Sequence, residues 1–334
     1  MAFGTAFGAD SEVARLNSDY KVFLNGRDVT QYALASVSLD DTTKRIYSTL
    51  DVSFISLPRF PLIVNVGMKI EFYFRELKLF SGIIFMANYS DEYVIDTTAY
   101  DEGVYYSKNY VNKQFNNATA ASIIRTVVND AGLPLGKVDD TGYVIPELSA
   151  EDKDIASIIY ETLETTEAQT GVTYYPVLRN GKLNVIKRLK PATAITISEG
   201  HNIIDVSQDI SIDSLANDII VRGGNQDNPT TARASDSESI KKYGRMQMID
   251  KVDEKAAPSH AKDRANKLLA ENKDPAKDVS LTAIGEWYLR SGDSIYLEAP
   301  RVNAVGEYIV EEISHNIDMT THTMSLTITK YKGG

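Results

Sequence analysis

Gly67-Met68-Lys69-Ile70 begins the stretch of sequence that decides the predicted fold. Apolar and polar residues alternate from here to a predicted turn at Ser81-Gly82. The apolar pattern resumes at Ile83-Ile84-Phe85 and again at Tyr93-Val94-Ile95. A period of two places successive side chains on opposite faces of a strand, so this pattern is typical of a sheet with one buried face.

A second stretch near the end of the sequence follows the same pattern. It begins at Gly292-Asp293-Ser294-Ile295, continues through Gly306-Glu307-Tyr308-Ile309-Val310, and closes with a run from Met324 to Tyr331. Few residues are identical between the two stretches. The prediction of an internal repeat therefore rests on the order and spacing of the apolar runs.

A pair of predicted strands precedes each stretch. Ser36–Leu39 and Leu50–Phe54 precede the first stretch, and Asp209–Ile212 and Asn217–Val221 precede the second. The sequence thus predicts two copies of a small β-barrel in one chain. If each chain carries two barrels, a trimer contains six. Such an assembly suits a protein that connects a six-fold to a three-fold symmetric structure better than it suits an enzyme.

These patterns predict an α+β, mainly β fold with two small β-barrels. We place the first barrel at residues 19–105 and the second at 199–334, with an α+β module at 106–198 between them. An insertion at 226–278 interrupts the second barrel. Residues 1–18 are rich in Gly and Ala and are expected to form a frayed end or an arm that docks on a neighbour.

Two helices are predicted in the α+β module. Asn117 is a suitable N-cap for a helix whose apolar positions recur over Ala120–Ala131. Ser149 followed by Asp152 resembles a capping box ahead of the apolar stripe in Ile155–Leu163. Helical spacing of these apolar residues predicts that one face of each helix is buried.

Turn and helix signals organise the rest of the chain. Asn180-Gly181 lies between two apolar runs and predicts a hairpin. In the insertion, Pro258-Ser259 opens a predicted helix whose inner face includes Leu268 and Leu269. The tract Thr230–Ser239 is rich in Thr, Ser and Asp and is expected to be a flexible or partner-ordered arm.

Composition limits the classes of function. The chain has 334 residues and a formal net charge of −11, which argues against nucleic-acid recognition because such a surface needs clustered Lys and Arg. It contains no Cys, so disulfides and thiol chemistry are excluded. The N-terminal sequence lacks a secretory signal, and no apolar run is long enough for stable membrane insertion. We expect synthesis in the bacterial cytoplasm.

The sequence contains no catalytic or cofactor-binding motif that we can identify. His315 and His322 lie in neighbouring predicted strands, but a metal site would need a third ligand. The acidic pairs Asp40-Asp41 and Asp139-Asp140 are expected to be solvated. We predict no enzyme activity, no cofactor, and no catalytic, cofactor-binding or metal-binding residues.

A cluster of tyrosines invites another interpretation. Tyrosine combines a large apolar area with a polar tip, which suits subunit interfaces and carbohydrate platforms as well as ordinary packing. Six tyrosines fall within 22 positions: Tyr89, Tyr93, Tyr100, Tyr105, Tyr106 and Tyr110.

The order of modules and several local sequences resemble the baseplate hub proteins of contractile phage tails. Relatives of this kind occur in phage-like prophage particles and R-type bacteriocins, and the family is shared with type VI secretion spikes. The resemblance covers nearly the whole chain. The local sequences that carry it are Asn25–Val29, Ile158–Tyr160, Gly181–Leu183, Ser214–Asn217, Ile240–Gly244, Leu289–Asp293 and Ile313–Asn316.

This resemblance implies a structural component of a phage tail or tail-like particle baseplate. The chain would form a homotrimeric ring that adapts the hexameric tail tube to the trimeric central spike. Its implied partners are the tail tube or tube-initiator protein, the central spike protein and other baseplate proteins, with a tape-measure protein as a further candidate. The alternative is a glycan-binding or cell-wall-active tail-tip protein whose surface is the tyrosine cluster.

Overall fold

The computed structural model describes residues 20–188, 195–224, 229–252, 258–318 and 321–331. The chain divides into two compact units, Met1–Val206 with Ser280–Gly334, and Ser207–Val279. The predicted N-terminal arm, residues 1–18, lies outside the described residues. No helix among the residues described is long and apolar enough to cross a membrane.

The first part of the chain forms seven strands. Asn25 and Gly26 have positive φ and make the predicted tight turn after the first strand. The turn expected at Ser81-Gly82 lies instead at Arg75 and Glu76, which also have positive φ. The strands are β1 (Tyr20–Leu24), β2 (Arg27–Asp28), β3 (Ala33–Thr42), β4 (Thr49–Ile55), β5 (Lys69–Phe74), β6 (Leu77–Tyr89) and β7 (Val94–Asp101).

The middle part is an α+β arrangement with its own apolar core, formed largely by the two helices and the strands beside them. The hairpin at Asn180-Gly181 is confirmed, and the strand that contains Pro176 lies at the edge of its sheet. The elements are β8 (Tyr110–Thr119), α1 (Ala120–Asp130), β9 (Leu135–Val138), β10 (Val144–Asp154), α2 (Ile155–Thr170), β11 (Tyr174–Arg179) and β12 (Lys182–Lys187).

Both predicted helix caps in this part are wrong by a few residues. Thr119 caps α1 by accepting a hydrogen bond from Ser122 N, and Asp154 caps α2 by accepting one from Ser157 N. Asn117 and Asp152 have positive φ within β8 and β10. The antiparallel pairing of β8 with β10 continues to Thr119 and Asp154, the residues directly before the two helices, so it delays both helix starts.

The described residues of the last part, from Ile195 onward, form nine strands and two α-helices. The elements are β13 (Ile195–Ser198), β14 (Ile203–Ser211), β15 (Asp218–Gly223), β16 (Thr230–Ser235), α3 (Ser237–Tyr243), β17 (Gln247–Lys251), α4 (Pro258–Asn272), β18 (Ala276–Ile284), β19 (Ser294–Ala299), β20 (Ala304–Ile317) and β21 (His322–Lys330).

The unit Ser207–Val279 contains a three-stranded sheet in the order β16-β15-β17. Helix α4 packs Ala261, Ala265 and Leu268 into an apolar core with strands of this sheet, so the ordered helix predicted from Pro258-Ser259 is confirmed. The flexible arm predicted for Thr230–Ser239 is wrong. Arg233 pairs with the buried Asp218 across the sheet, and Asp236 caps α3.

Thirteen strands join in one sheet, whose main path is β14-β18-β21-β20-β3-β4-β7-β6-β5-β1-β2, with β19 beside β20 and β13 beside β19. The described strands do not close into a barrel. The prediction of two small barrels is therefore not confirmed, and β20 pairs with β3, which joins both sets of strands. The mainly β character is confirmed.

The internal repeat survives in the order of the strands. The first half follows the path β3-β4-β7-β6-β5-β1, and the second half follows β14-β18-β21-β20-β19-β13. Each strand of the first path has a counterpart at the same place in the second. The predicted second pair is wrong in one respect, since β18 is the counterpart of β4, whereas Asn217–Val221 contributes to a different sheet.

Candidate functional site

The junction between the two halves is an antiparallel pairing of β20 with β3. Six residues of β20, Glu312–Ile317, lie opposite Val37–Thr42. Side chains extend the contact: the hydroxyls of Ser38 and Ser314 lie 3.2 Å apart, and Thr43 Oγ1 donates to Glu311 Oε2 at 2.6 Å. We call this pairing the internal junction.

A histidine pair lies at the internal junction. The Nε2 atom of His315 lies 3.0 Å from the Leu289 carbonyl oxygen, an acceptor, and 3.3 Å from Nη1 of Arg290, a donor. We assign the proton to Nε2 because the carbonyl oxygen is the nearer of the two. The Nδ1 atom of His315 then accepts from Nε2 of His322 at 2.9 Å. Burial, with Arg290 nearby, lowers the pKa of His315 to about 3 and that of His322 to about 4. Both rings are therefore neutral at neutral pH.

The first half contains a counterpart of this arrangement. In each half, the long strand and the glycine loop before it exchange two backbone hydrogen bonds. In the second half, Gly292 N donates to Val310 O, and Val310 N donates to Asp293 O. In the first half, Gly67 N donates to Ile84 O, and Ile84 N donates to Met68 O. Immediately after Ile84 and after Val310, the register shifts by one residue against the next strand. A shared bulge at the same place fixes the correspondence of β6 with β20 residue by residue.

Tyr89 is the counterpart of His315 under this correspondence. The Tyr89 hydroxyl donates to the Val64 carbonyl oxygen, three residues before Gly67, and His315 donates to Leu289, three residues before Gly292. In both halves a polar side chain on the long strand thus holds the preceding loop through a backbone carbonyl group.

Tyr93 is in the same way the counterpart of His322. Ser56 N donates to the carbonyl oxygen of Tyr93 at 2.8 Å, and Gly285 N donates to that of His322 at 2.8 Å. The histidine pair and two members of the tyrosine cluster, which the sequence presents as unrelated candidates, therefore occupy equivalent positions in the two halves.

The structure brings the two histidines together but does not bring the tyrosines together. The histidine rings contact each other as predicted from their neighbouring strands, and within the described ranges no group of three His, Cys, Asp or Glu residues is placed to hold a metal ion. The tyrosine cluster does not form one platform. Tyr106 is buried in the core of the middle part, whereas Tyr89 and Tyr110 are exposed on strands of different sheets.

A polar cavity of about 160 Å³ lies beside the internal junction. Its lining includes the carboxyl groups of Asp41 and Asp101 and the guanidinium groups of Arg45 and Arg290. Burial raises the pKa of Asp101 to about 7, although the carboxyl group accepts hydrogen bonds from Ser48 N and Gly103 N. The Nε atom of Arg45 is buried without a hydrogen-bond partner among the described residues.

The counterpart of the internal junction on β6 is open. The second half of β6, Met86–Tyr89, pairs with β7 on one side, and no strand of the described residues pairs with its other side. Tyr89 is 57% exposed, whereas its counterpart His315 is 2% exposed. The ring of His315 contacts His322, Arg290 and the Leu289 carbonyl group.

The loop before β5 extends this open surface. Phe60, Ile63 and Val66 are exposed, although Leu62 and Val64 of the same loop are buried. The corresponding loop of the second half contacts β3, because Ser291 N donates to Asp41 Oδ2 at 3.2 Å. Ser291 and Val66 each directly precede the glycine shared by the two halves. We call Met86–Tyr89 and the exposed loop residues the open junction.

Strand β14 is another open edge of the sheet. This strand occupies the place that β3 has in the first half, at one end of the sheet path. None of its nine residues is buried, and Ile204 and Ile210 are 58% and 60% exposed. Its counterpart β3 buries Ala33, Val37 and Leu39. Exposed isoleucines on an open edge strand mark a site where another strand can pair.

Sequence comparisons match the chain to one family and to two proteins of Bacillus subtilis. The family described as YQBQ-like matches residues 37–329. The Bacillus subtilis (strain 168) protein YqbQ is 30% identical over 267 residues, which cover 79% of this chain and 82% of that protein. The phage-like element PBSX protein XkdQ of the same strain is 29% identical over the same coverage.

Solved structures share the fold at low sequence identity. The 43 kDa tail protein of prophage MuSo2 from Shewanella oneidensis has a TM-score of 0.72 at 15% identity, covering 93% of this chain and 97% of that chain. The E. coli c3393 protein, a component of the type VI secretion system, has a TM-score of 0.58 at 8% identity and covers 93% of this chain and 77% of that chain.

Proposed function

We propose, from the premise that this chain belongs to the YQBQ-like family, that it is the structural hub of a contractile-tail baseplate. In this role it forms a homotrimeric ring between a hexameric tail tube and a trimeric central spike. Its relatives and fold neighbours include phage-like element, prophage tail and type VI secretion proteins, which supports a tail or baseplate role.

The duplicated strand order is the single observation that carries this proposal. Each chain contains two six-stranded halves with the same path, so three chains contain six such halves. A ring with this composition presents three-fold symmetry to a spike and pseudo-six-fold symmetry to a tube. The proposed partners are the tube or tube-initiator protein, the spike, other baseplate proteins and the tape-measure protein.

The proposed role needs no catalytic group. The neutral histidine pair and the buried Asp101 hold elements of this chain together, since each bonds to backbone or side-chain groups of the same chain.

Counting the copies in the hub tests this function. Purified tail-like particles would be disassembled to the hub, and the subassembly measured by light scattering and electron microscopy. We expect a ring of three copies. A hub with one copy or six copies, or a particle in which the chain lies outside the baseplate, would exclude the proposed role.

A further inference from the structure

We propose that the open face of the sheet β16-β15-β17 binds an acidic surface of a different protein in the baseplate. The proposal rests on the proposed function, which supplies the neighbouring proteins, and it adds a surface and the chemistry of its partner. Helix α4 covers one face of this sheet, where Ile219, Val221 and Ala234 join the apolar core. The residues between them point to the opposite face, because successive side chains of a strand alternate.

This opposite face is exposed on all three strands. On the central strand β15, Arg222 is exposed. Ile249 is 53% exposed and is the direct partner of Ile220 on the central strand. An apolar centre surrounded by polar and charged groups is typical of a protein interface. The exposed residues on the two outer strands are Thr231, Arg233, Ser235, Gln247, Ile249 and Lys251.

The charges of this face are opposite in sign to the charge of the whole chain. The chain has a formal net charge of −11, whereas the face carries Arg222, Arg233 and Lys251 with one carboxylate, Asp218. Arg245 lies beside them, with its Nε atom 3.7 Å from Asp218 Oδ2. We call the exposed residues of the outer strands, with Asp218, Ile220, Arg222 and Arg245, the basic face.

At one end of the basic face, two guanidinium groups share one carboxylate. Arg233 Nε donates to Asp218 Oδ1 at 2.6 Å, and Gln247 Nε2 donates to Asp218 Oδ2 at 3.0 Å. The hydrogen bond from Arg233 is the largest cause of the lowered pKa of Asp218, so this carboxylate stays ionised. One negative charge does not neutralise two guanidinium groups, and the side chains of Arg233 and Arg245 are 50% and 62% exposed. This end can therefore bind a further carboxylate.

At the other end of the basic face, two cations lie side by side. Arg222 is the direct partner of Lys251 in the pairing of β15 with β17. Neighbouring strands lie about 4.8 Å apart, so these like charges repel each other, and an anion bound between them lowers the repulsion. Neither side chain forms an ion pair with any of the described residues. A carboxylate from outside the chain fits this pair.

The arrangement favours an acidic protein over a nucleic acid. Nucleic acids bind mainly through neutralised phosphates, whereas this face places an isoleucine pair between its two cationic ends. Asp218 and Arg222 are four residues apart on one strand, so the two ends are separated by about 13 Å. We therefore expect a partner with carboxylates about this far apart on either side of an apolar side chain. Because the chain as a whole is acidic, like-charge repulsion disfavours other docking places.

Zero-length cross-linking in purified tail-like particles tests the proposal. A carbodiimide joins an amine to a carboxylate without a spacer, so it reports only groups in direct contact. Particles that contain the wild-type chain, or the variant Arg222→Lys with a second amine on the basic face, are treated and digested. Cross-linked peptides are identified by mass spectrometry. We expect residue 251, and residue 222 in the variant, to be joined to an acidic residue of a different protein.

Two lysines of the same unit serve as controls. Lys273 Nζ lies 3.0 Å from Asp236 Oδ2 and should form a cross-link within the chain. Lys262 is exposed on α4, which covers the other face of the sheet, and should not be joined to the peptide that Lys251 contacts. Lys251→Glu and Lys262→Glu make the same charge change at these two exposed sites. In titrations of the full-length chains with the cross-linked protein, Lys251→Glu should bind at least about tenfold more weakly, and Lys262→Glu should bind as the wild type does.

The outcomes separate this proposal from the proposed function. If the Lys273 control forms but residue 251 is joined to no other protein, or only to a second copy of this chain, the acidic partner is wrong. A ring of three copies would then leave the proposed function standing. Equal affinities of Lys251→Glu and the wild type, or binding of a DNA duplex that Lys251→Glu abolishes, would also overturn the proposal. If the chain is absent from the hub, both proposals are wrong.

Discussion

The internal junction and the open junction are built from equivalent strands, yet one is buried and the other exposed. His315 and Tyr89 each contact a loop through a backbone carbonyl group, but only His315 is buried and lies on a strand segment that is paired on both sides. The comparison shows that Met86–Tyr89 of β6 occupies the position that pairs with β3 on the equivalent strand β20.

The residue types at the two junctions differ in a way that fits their exposure. The buried junction uses two neutral histidines in mutual contact, whereas the open junction uses Tyr89 and Tyr93. Tyrosine supplies apolar area and a hydroxyl group at low conformational cost, which suits a surface that another chain covers. The internal junction should consequently respond to acid, and the open junction should not.

The largest expected difference in stability is between substitutions on the buried strand β3 and on the exposed strand β14. Val37→Asp places an unpaired charge in the core at the internal junction and should lower the free energy of unfolding by more than about 3 kcal/mol. Ile210→Asp, on the exposed β14, should change it by less than about 0.5 kcal/mol. Denaturant unfolding followed by circular dichroism measures both. Equal losses would show that β14 is not a free edge.

Substituting the side chain that contacts the loop carbonyl group should destabilise the chain more at His315 than at Tyr89. His315→Ala removes the donor to Leu289 O and leaves a cavity, so the free energy of unfolding should fall by about 2–4 kcal/mol. Tyr89→Phe removes only a hydroxyl group at an exposed position and should cost less than about 1 kcal/mol. Thermal and urea denaturation compare them, and a reversed order would contradict the correspondence of the two residues.

The second half has a glycine, Gly285, at the position where the first half has Ser56. A Cβ atom on Gly285 would lie 2.1 Å from Nδ1 of His322, whereas the counterpart Ser56 carries a side chain. Gly285→Ser should therefore lower the free energy of unfolding by about 1–3 kcal/mol through overpacking. Combining it with His322→Ala should recover part of this loss. Urea titration compares Gly285→Ser with the double variant. Equal free energies of unfolding for the two would contradict the account.

Acid should weaken the internal junction selectively. The pKa values of His315 and His322 are lowered in the folded chain, so the unfolded chain binds protons first as the pH falls below about 6.5. The stability that these groups contribute above that pH is lost as it falls toward 4. Relative to His315→Gln, the wild-type chain should lose about 1–2 kcal/mol of unfolding free energy between pH 6.5 and pH 4.5.

The opposite pH dependence of Asp101 provides an internal check. Burial raises the pKa of Asp101 to about 7 in the folded chain. The unfolded chain therefore loses this proton first, and the free energy of unfolding falls as the pH rises from about 4 to 7. Both the wild type and His315→Gln contain Asp101, and the difference between them removes its effect. A difference that stays constant across this pH range would show that the histidines are not held neutral by burial.

Much of the fold follows from local sequence, because turn chemistry acts over a few residues. Gly67 and Gly292 mark the repeat, Asn180-Gly181 makes its hairpin, and Gly171 ends α2 in the left-handed conformation. The helix starts were missed because the pairing of β8 with β10 competes with the caps at Asn117 and Asp152. Long-range hydrogen bonds outweigh the local preference there.

The junctions could not be predicted in the same way. The pairing of Val37–Thr42 with Glu312–Ile317 joins segments that are far apart in sequence, and neither segment carries a signal for its partner. The counterpart of β4 lies after the unit Ser207–Val279, so sequence order suggested the wrong strand. Tyr89 and His315 differ in type, and only their equal hydrogen bonds to loop carbonyl groups reveal the correspondence.

A reconstruction of the hub within the intact particle, at a resolution that traces the backbone, tests the central claim most directly. We predict a ring of three copies in which the two halves of each chain occupy equivalent positions around the axis. A hub with one copy or six copies, or a ring in which the two halves occupy unrelated positions, would contradict the account.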